Sequence, residues 1–172
     1  MNSRVSNLLG ALALAVSDAM TEAMTEVSGL SISGASALVF LGNNPGRNVD
    51  GVAKTLHLAH SSAVRLLEKL QESGFLESHH GADRRCVEYS LTRKGKRVVE
   101  QMQIRRQRAL ATFVKDWTQF EEKKTLEEHL ETLLSCASTD VVTCDRICRL
   151  CDEGACDLKR CPVEAAFCRL RS

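Results

Sequence analysis

Prolines and aromatic side chains are scarce here: two Pro, one Trp, one Tyr and five Phe in 172 residues. With so little proline, helices can run uninterrupted, and frequent Leu, Ala and Glu argue for a mainly helical chain. So few aromatic rings leave little to line an aromatic ligand pocket. Enzyme signatures are missing too, with no Gly-rich phosphate loop, no HExxH pattern and no convincing Ser/His/Asp set. No apolar run approaches the roughly 20 residues of a membrane span. The nearest, LLGALALAV close to the start, has the look of a signal peptide, but Val5, Leu9, Leu12, Val16, Ala19, Ala23 and Val27 carry the helical spacing well past any cleavage point. Asp18, Glu22 and Glu26 lie on another face. The expectation is an amphipathic first helix in a cytoplasmic protein with no membrane partner. The net charge of +1 excludes a uniformly basic protein, though a nucleic-acid binder needs only a local basic patch.

What the chain does have is size, apolar content and cysteine. A 172-residue chain with 44% hydrophobic residues suits one medium domain with a small appendage. Its eight cysteines, in a cytoplasmic setting, point away from structural disulfides and toward metal or redox chemistry.

Residues 60–96, HSSAVRLLEKLQESGFLESHHGADRRCVEYSLTRKGK, hold the most information. Val64, Leu67 and Leu70 recur at helical spacing while Arg65, Glu68, Lys69 and Glu72 fall elsewhere around the axis. Ser61 or Ser62 is placed to cap this helix and Gly74 to stop it. Strands follow over 75–78 and 86–91, the second alternating Val87, Tyr89 and Leu91 with polar neighbours. Between them, 79–85 is a polar turn with Arg84 and Arg85 at its tip. Upstream, helices are expected to about residue 28, over 33–41 and over 49–58, with 57–60 as a turn; downstream, Thr92 caps a long helix to about Trp117, and another covers 120–135 with Leu126, Leu130, Leu133 and Leu134 on one side.

The order helix, strand, charged turn, strand, helix resembles the MarR (multiple antibiotic resistance regulator) family of winged helix-turn-helix transcription factors. SSAVRLLEKLQESGFL is similar to that family's recognition helix and first wing strand. DRRCVEYSLTRKG is similar to its wing signature, matched by Asp83, Arg85, Leu91, Thr92 and Gly95. The resemblance implies a mainly α fold with a small β-wing: a winged helix-turn-helix over 31–92, a helical dimerisation region from 1–30 and 93–137, and, outside the family pattern, a Cys-rich metal-binding tail over 138–172. It also implies that Ser61, Ser62 and Arg65 meet phosphates and base edges in the major groove, that Arg85 enters the minor groove with Arg84 beside it, and that Asp83 holds Arg85. The expected protein is a homodimeric, sequence-specific transcriptional regulator, a repressor, reading a pseudo-palindromic double-stranded operator with half-sites about one helical turn apart. Its effector would be a small molecule in the cleft between the dimer and DNA-binding parts.

Elementary chemistry agrees with that reading. A helix fits the major groove, where Arg reaches guanine with two hydrogen bonds, and an Arg on a thin hairpin suits a narrow, negative minor groove. Taken singly, Arg84 and Arg85 read as a solvated turn and Ser61 and Ser62 as a plain helix cap. The basic residues beyond Arg97 read as the solvated face of a long helix.

The tail reads CDRICRLCDEGACDLKRCPVEAAFC from Cys144. Cys148, Cys151, Cys156 and Cys161 form a C-x2-C-x4-C-x4-C pattern, flanked by Cys144 and Cys168. Four thiolates so close in sequence can surround one zinc ion in a closed structural site. An iron–sulfur cluster is the alternative, because Cys144, Cys148 and Cys151 give C-x3-C-x2-C and Cys161 precedes a proline. A cluster would make the protein a sensor, whereas a dithiol switch would make it redox-responsive. Cys86 and Cys136 read as small structural residues. The rival from another class is a metal-dependent or redox enzyme built on the tail, with the winged helix as a protein-interaction module.

Overall fold

The computed structural model describes residues 3–81, 86–115, 120–156 and 158–171, with backbone alone at 120–122. Helix α1 (Ser3–Ser28) ends where Ser28 Oγ donates to Met24 O and Gly29 takes a positive φ of 65°. Met24 is fully buried against the rest of the fold, and α1 packs along α5. Nearer the N-terminus α1 is open to solvent, with Val5, Leu8, Leu9, Leu12 and Leu14 each about half exposed or more. By length and composition alone this helix could cross a membrane, so the sequence-level exclusion of a span does not hold for α1. The reason is that small residues and Leu spread around the axis raise its average hydropathy without forming one unbroken apolar run.

Helix α2 (Ile32–Asn43) is the centre of the molecule. Ser31 caps it by accepting from Gly34 N at 3.2 Å. Every residue from 34 to 41 is buried, so no polar face marks its ends, and it runs longer than the expected 33–41. Strand β1 (Arg47–Asn48) leads directly into α3 (Val49–Leu56), where Asn48 Oδ1 accepts from Gly51 N at 3.0 Å and closes the first turn. His57, at φ 52°, ends α3 in the left-handed region.

Helix α4 (His60–Glu72) starts one residue before the serines expected to cap it. Its N-cap is Ala59, without a side-chain bond, so Ser61 and Ser62 belong to the first turn. Gly74, at φ 73°, turns the chain toward β2 (Leu76–His80), which pairs antiparallel with β3 (Val87–Leu91) from Leu76↔Leu91 to His80↔Val87. His79 and His80 are therefore strand residues and not part of the tip. β1 joins the far side of β3, Arg47 opposite Tyr89 and Asn48 opposite Glu88, giving the sheet order β1-β3-β2. The sequence reading misses this strand, because two residues carry no alternation.

Thr92 caps α5 (Arg93–Ala111) as expected, accepting from Gly95 N at 3.1 Å; a 3-10 turn over Thr112–Val114 follows. Trp117 lies outside the described residues. Helix α6 (Phe120–Ala137) leaves Leu130, Leu133 and Leu134 exposed. The tail folds as two helices, α7 (Val141–Cys148) and α8 (Pro162–Arg171), and Asp140 caps α7 through Thr143 N at 2.9 Å.

The main core joins α2, α3, α4, the sheet and α5 through Leu38, Phe40, Leu41, Val52, Leu67 and Met102. A second, small core lies between α7 and α8, built from Cys144, Val163 and Ala166 with Ile147, Cys148, Cys161 and Phe167 around it.

Candidate nucleic-acid interface and thiol turn

Helix α4 is amphipathic in the way a groove-reading helix must be. Ala63, Leu67 and Leu70 are buried while Ser61, Ser62 and Arg65 face solvent; Val64, expected in the buried stripe, is only half-buried. Arg65 touches its own helix only through a long Nε bond of 3.4 Å to Ser61 O, which leaves most of its guanidinium fork for an outside partner. At the start of α4, His60 Nε2 lies 3.4 Å from Asp50 Oδ1, tying it to the first turn of α3; both groups are largely exposed, so the pair fixes orientation more than stability.

The wing is held from behind. Thr92 Oγ1 donates to Gly74 O at 2.7 Å, and Thr92 N to Phe75 O at 3.0 Å, pinning the end of β3 to the start of β2. Gly81 N donates to Cys86 O at 3.0 Å, closing the base of the hairpin turn. Asp83, Arg84 and Arg85, the expected tip contacts, lie outside the described residues. On the strands, His79 Nε2 lies 3.5 Å from Glu88 Oε2.

Two basic residues have roles that the sequence reading does not give them. Lys94 Nζ donates to Ser73 O at 2.8 Å and sits 4.4 Å from the Phe75 ring centre, so it closes the C-terminal end of α4. Arg106 is half-buried, its Nε enclosed and without a hydrogen-bond partner among the described residues, and its charge reaches Cys151. It therefore departs from the solvated face expected beyond Arg97. The signal for both is their position: each falls on the turn of α5 that meets another element.

The cysteine-rich tail is docked on the winged helix. Leu150, between two cysteines, is 8% exposed and belongs to the main core. Cys151 O accepts from Asn43 Nδ2 at 3.1 Å and from Gln103 Nε2 at 3.1 Å. Helix α7 packs on α3, and the Arg146 guanidinium contacts His57 Nε2. Helix α8 packs on α6, where Arg160 lies 3.3 Å from Glu127 and 3.4 Å from Glu131.

Within the tail, the Cys148 and Cys151 side chains act on each other's protonation. That interaction, with burial opposing and Arg106 helping, lowers Cys151 to about 7. The same interaction, together with burial, pushes Cys148 far up. Cys161 is near enough to add to that rise. Burial raises Cys144, and Cys156 is exposed. Among the described residues no three Cys, His, Asp or Glu side chains converge closely enough to hold an ion.

Comparison with known proteins follows the same outline. The model of the MarR family matches residues 28–85, from the end of α1 past β2 and stopping before β3. Over those residues the chain is similar to the MarR family. Among solved structures, the RV1404 protein from Mycobacterium tuberculosis superposes with a TM-score of 0.71 at 19% identity, covering 81% of this chain and 96% of its own. A MarR family protein from Bacillus stearothermophilus gives 0.70 at 22%, covering 81% and 99%. FabT of Streptococcus pneumoniae, solved in complex with DNA, gives 0.61 at 21%, covering 78% and 95%. At these identities the MarR-type likeness is one of fold. No curated protein matches the chain.

Proposed function

We propose that this chain is a cytoplasmic, sequence-specific, DNA-binding transcriptional regulator that acts as a homodimer, most simply as a repressor. The observation that carries the reading is α4: its apolar face is fixed in the core, and Ser61, Ser62 and Arg65 stand outward beside a two-stranded wing. That shape suits a major groove flanked by a minor groove. Arg84 and Arg85 are assigned to the minor groove and Asp83 to supporting Arg85. The exposed apolar residues of α1 and α6, Leu8, Leu9, Leu12, Leu130 and Leu133, are assigned to the partner subunit. Two-fold symmetry then calls for a pseudo-palindromic double-stranded operator, and a small-molecule effector would act from the cleft between the helical region and the winged helix.

The tail is proposed to carry a zinc ion on Cys148, Cys151, Cys156 and Cys161, with Cys144 or Cys168 as further donors and an iron–sulfur cluster as the alternative. What supports that set is the C-x2-C-x4-C-x4-C spacing in sequence; among the described residues no three ligand-type side chains already converge. The test of DNA recognition is to enrich duplexes from a random-sequence pool and then compare the wild type with Arg65→Ala. We expect an enriched, dyad-symmetric sequence and a loss of about 1–3 kcal/mol, or tenfold or more, on removing Arg65. Equal binding of all duplexes, or no effect of Arg65→Ala, would overturn the assignment of α4.

A further inference from the structure

The two ends of α4 are held differently. At the N-terminus the cap residue, Ala59, makes no side-chain bond, and Ser61, Ser62 and Arg65 stand in solvent. A helix leaves its last carbonyls open, and at the other end Lys94 Nζ, reaching across from α5, takes the one on the C-cap residue, Ser73 O, at 2.8 Å. The same ammonium stands 4.4 Å from the Phe75 ring centre. Both the ring face and the negative end of the helix dipole favour a cation there. Two neutral bonds tie the same end to its surroundings: Gln71 Nε2 donates to Ser78 Oγ of β2 at 3.1 Å, and Thr92 Oγ1 donates to Gly74 O at 2.7 Å. Lys94 supplies the charged tie, and because its side chain is exposed that tie weighs on orientation more than on overall stability.

We propose that Lys94 is a positioning residue for base readout: it clamps the C-terminal end of α4 and so sets the angle at which Arg65 is presented, without itself touching DNA. Arg65 lies about 12 Å along the axis from Ser73, at about 1.5 Å per residue. A swing of about 5° about the clamped end therefore carries Arg65 about 1 Å sideways, whereas a recognition contact must be held to within about 0.5 Å. A two-bond contact to guanine is lost by such a shift, while contacts to phosphates, which carry no sequence information, absorb it. Removing the clamp thus lowers discrimination between sequences and spares sequence-independent binding. A lysine that touched a phosphate would do the reverse, weakening all duplexes alike and reducing the salt slope.

For its DNA readout the inference rests on the regulator reading. The test takes the full chain as wild type and as three variants. Lys94→Met keeps the stem on Phe75 and drops the ammonium, Lys94→Arg keeps the charge, and Lys96→Met alters an exposed neighbour on α5. Titration with an enriched duplex and with a scrambled one gives the ratio of affinities and the salt slope, and hydrogen exchange follows the amides of residues 73–75. We expect Lys94→Met to bind the enriched duplex about tenfold more weakly and the scrambled duplex as the wild type does, with the slope unchanged and exchange at those amides about tenfold faster. Lys94→Arg should stay within about threefold of the wild type, and Lys96→Met should keep the ratio. Equal weakening on both duplexes, with a slope smaller by about one, would make Lys94 a phosphate contact and overturn the proposal. An unchanged ratio in Lys94→Met, or the same fall in Lys96→Met, would overturn it too. Should no duplex be enriched, the regulator reading fails by itself, while exchange at residues 73–75 still decides the clamp: exchange as slow as in the wild type would sink it.

Discussion

Gly95 and Gly10 are both helical glycines, and the structure gives their replacement by alanine opposite signs. Gly95 lies in the first turn of α5, and a Cβ there would run into the Phe75 carbonyl oxygen, with the Phe75 carbonyl carbon at 3.2 Å and Leu91 Cδ2 at 3.3 Å behind it. Phe75 O accepts from both Thr92 N and Thr92 Oγ1, so pushing it aside also disturbs the cap that joins wing and helix. Helix propensity would return about 1 kcal/mol for Gly→Ala. Against it stand about 1–3 kcal/mol of overpacking against backbone and about 1 kcal/mol for a weakened cap. The balance for Gly95→Ala is a loss of about 2 kcal/mol, or about 4–8 °C in Tm for a chain of this size. Gly10, in α1, has nothing within 4 Å of the same added atom. Gly10→Ala should stabilise by about 0.5–1 kcal/mol. Thermal and urea unfolding of the two variants beside the wild type would check this. A Gly95→Ala protein as stable as the wild type, or more so, would refute the argument that α5 and β2 meet at that glycine.

Leu150→Ala should cost about 2 kcal/mol, at the low end for a buried leucine because the site lies at the edge of the core, whereas the exposed Leu158→Ala should stay within about 0.5 kcal/mol. Equal unfolding midpoints for the two would mean that the tail is not anchored through Leu150. Metal and acid-labile sulfide content, with a visible spectrum, on protein purified without oxygen should show one zinc per chain, colourless and free of sulfide. Brown protein with iron and sulfide would replace zinc by a cluster, and protein with neither would remove the metal from the account.

The winged helix was legible because its parts follow rules that act locally. Leu67 and Leu70 set one face of α4, Gly74 ends it at positive φ, and Thr92 caps α5, each acting on residues only a few positions away. What stayed hidden depends on distant partners. β1 exists because Arg47 and Asn48 find β3, about forty residues on, and no two-residue segment announces that. Ala63 is fully buried, yet a single methyl gives almost no signal beside Val64. In the tail, thiol chemistry obscured packing. Cys144, Ile147 and Cys148 on α7 and Val163, Ala166 and Phe167 on α8 have helical i, i+3, i+4 spacing, and cysteine counts there as a small apolar residue. Lys94 and Arg106 look like surface charge in sequence, and only tertiary contacts with Phe75 and the Cys151 turn give them other work. The DNA-reading set is legible as a pattern in Ser61, Ser62 and Arg65, whose exposure follows directly from the buried face of α4.

The central claim is that α4 and the wing read duplex DNA together. Its most direct test is the salt dependence of binding to an enriched duplex, for the wild type and for Arg85→Ala. Sequence-selective binding should fall linearly on a log–log salt plot, with Arg85→Ala binding far more weakly and with a slope smaller by about one. Binding unchanged by Arg85→Ala, in affinity and in slope, would contradict it.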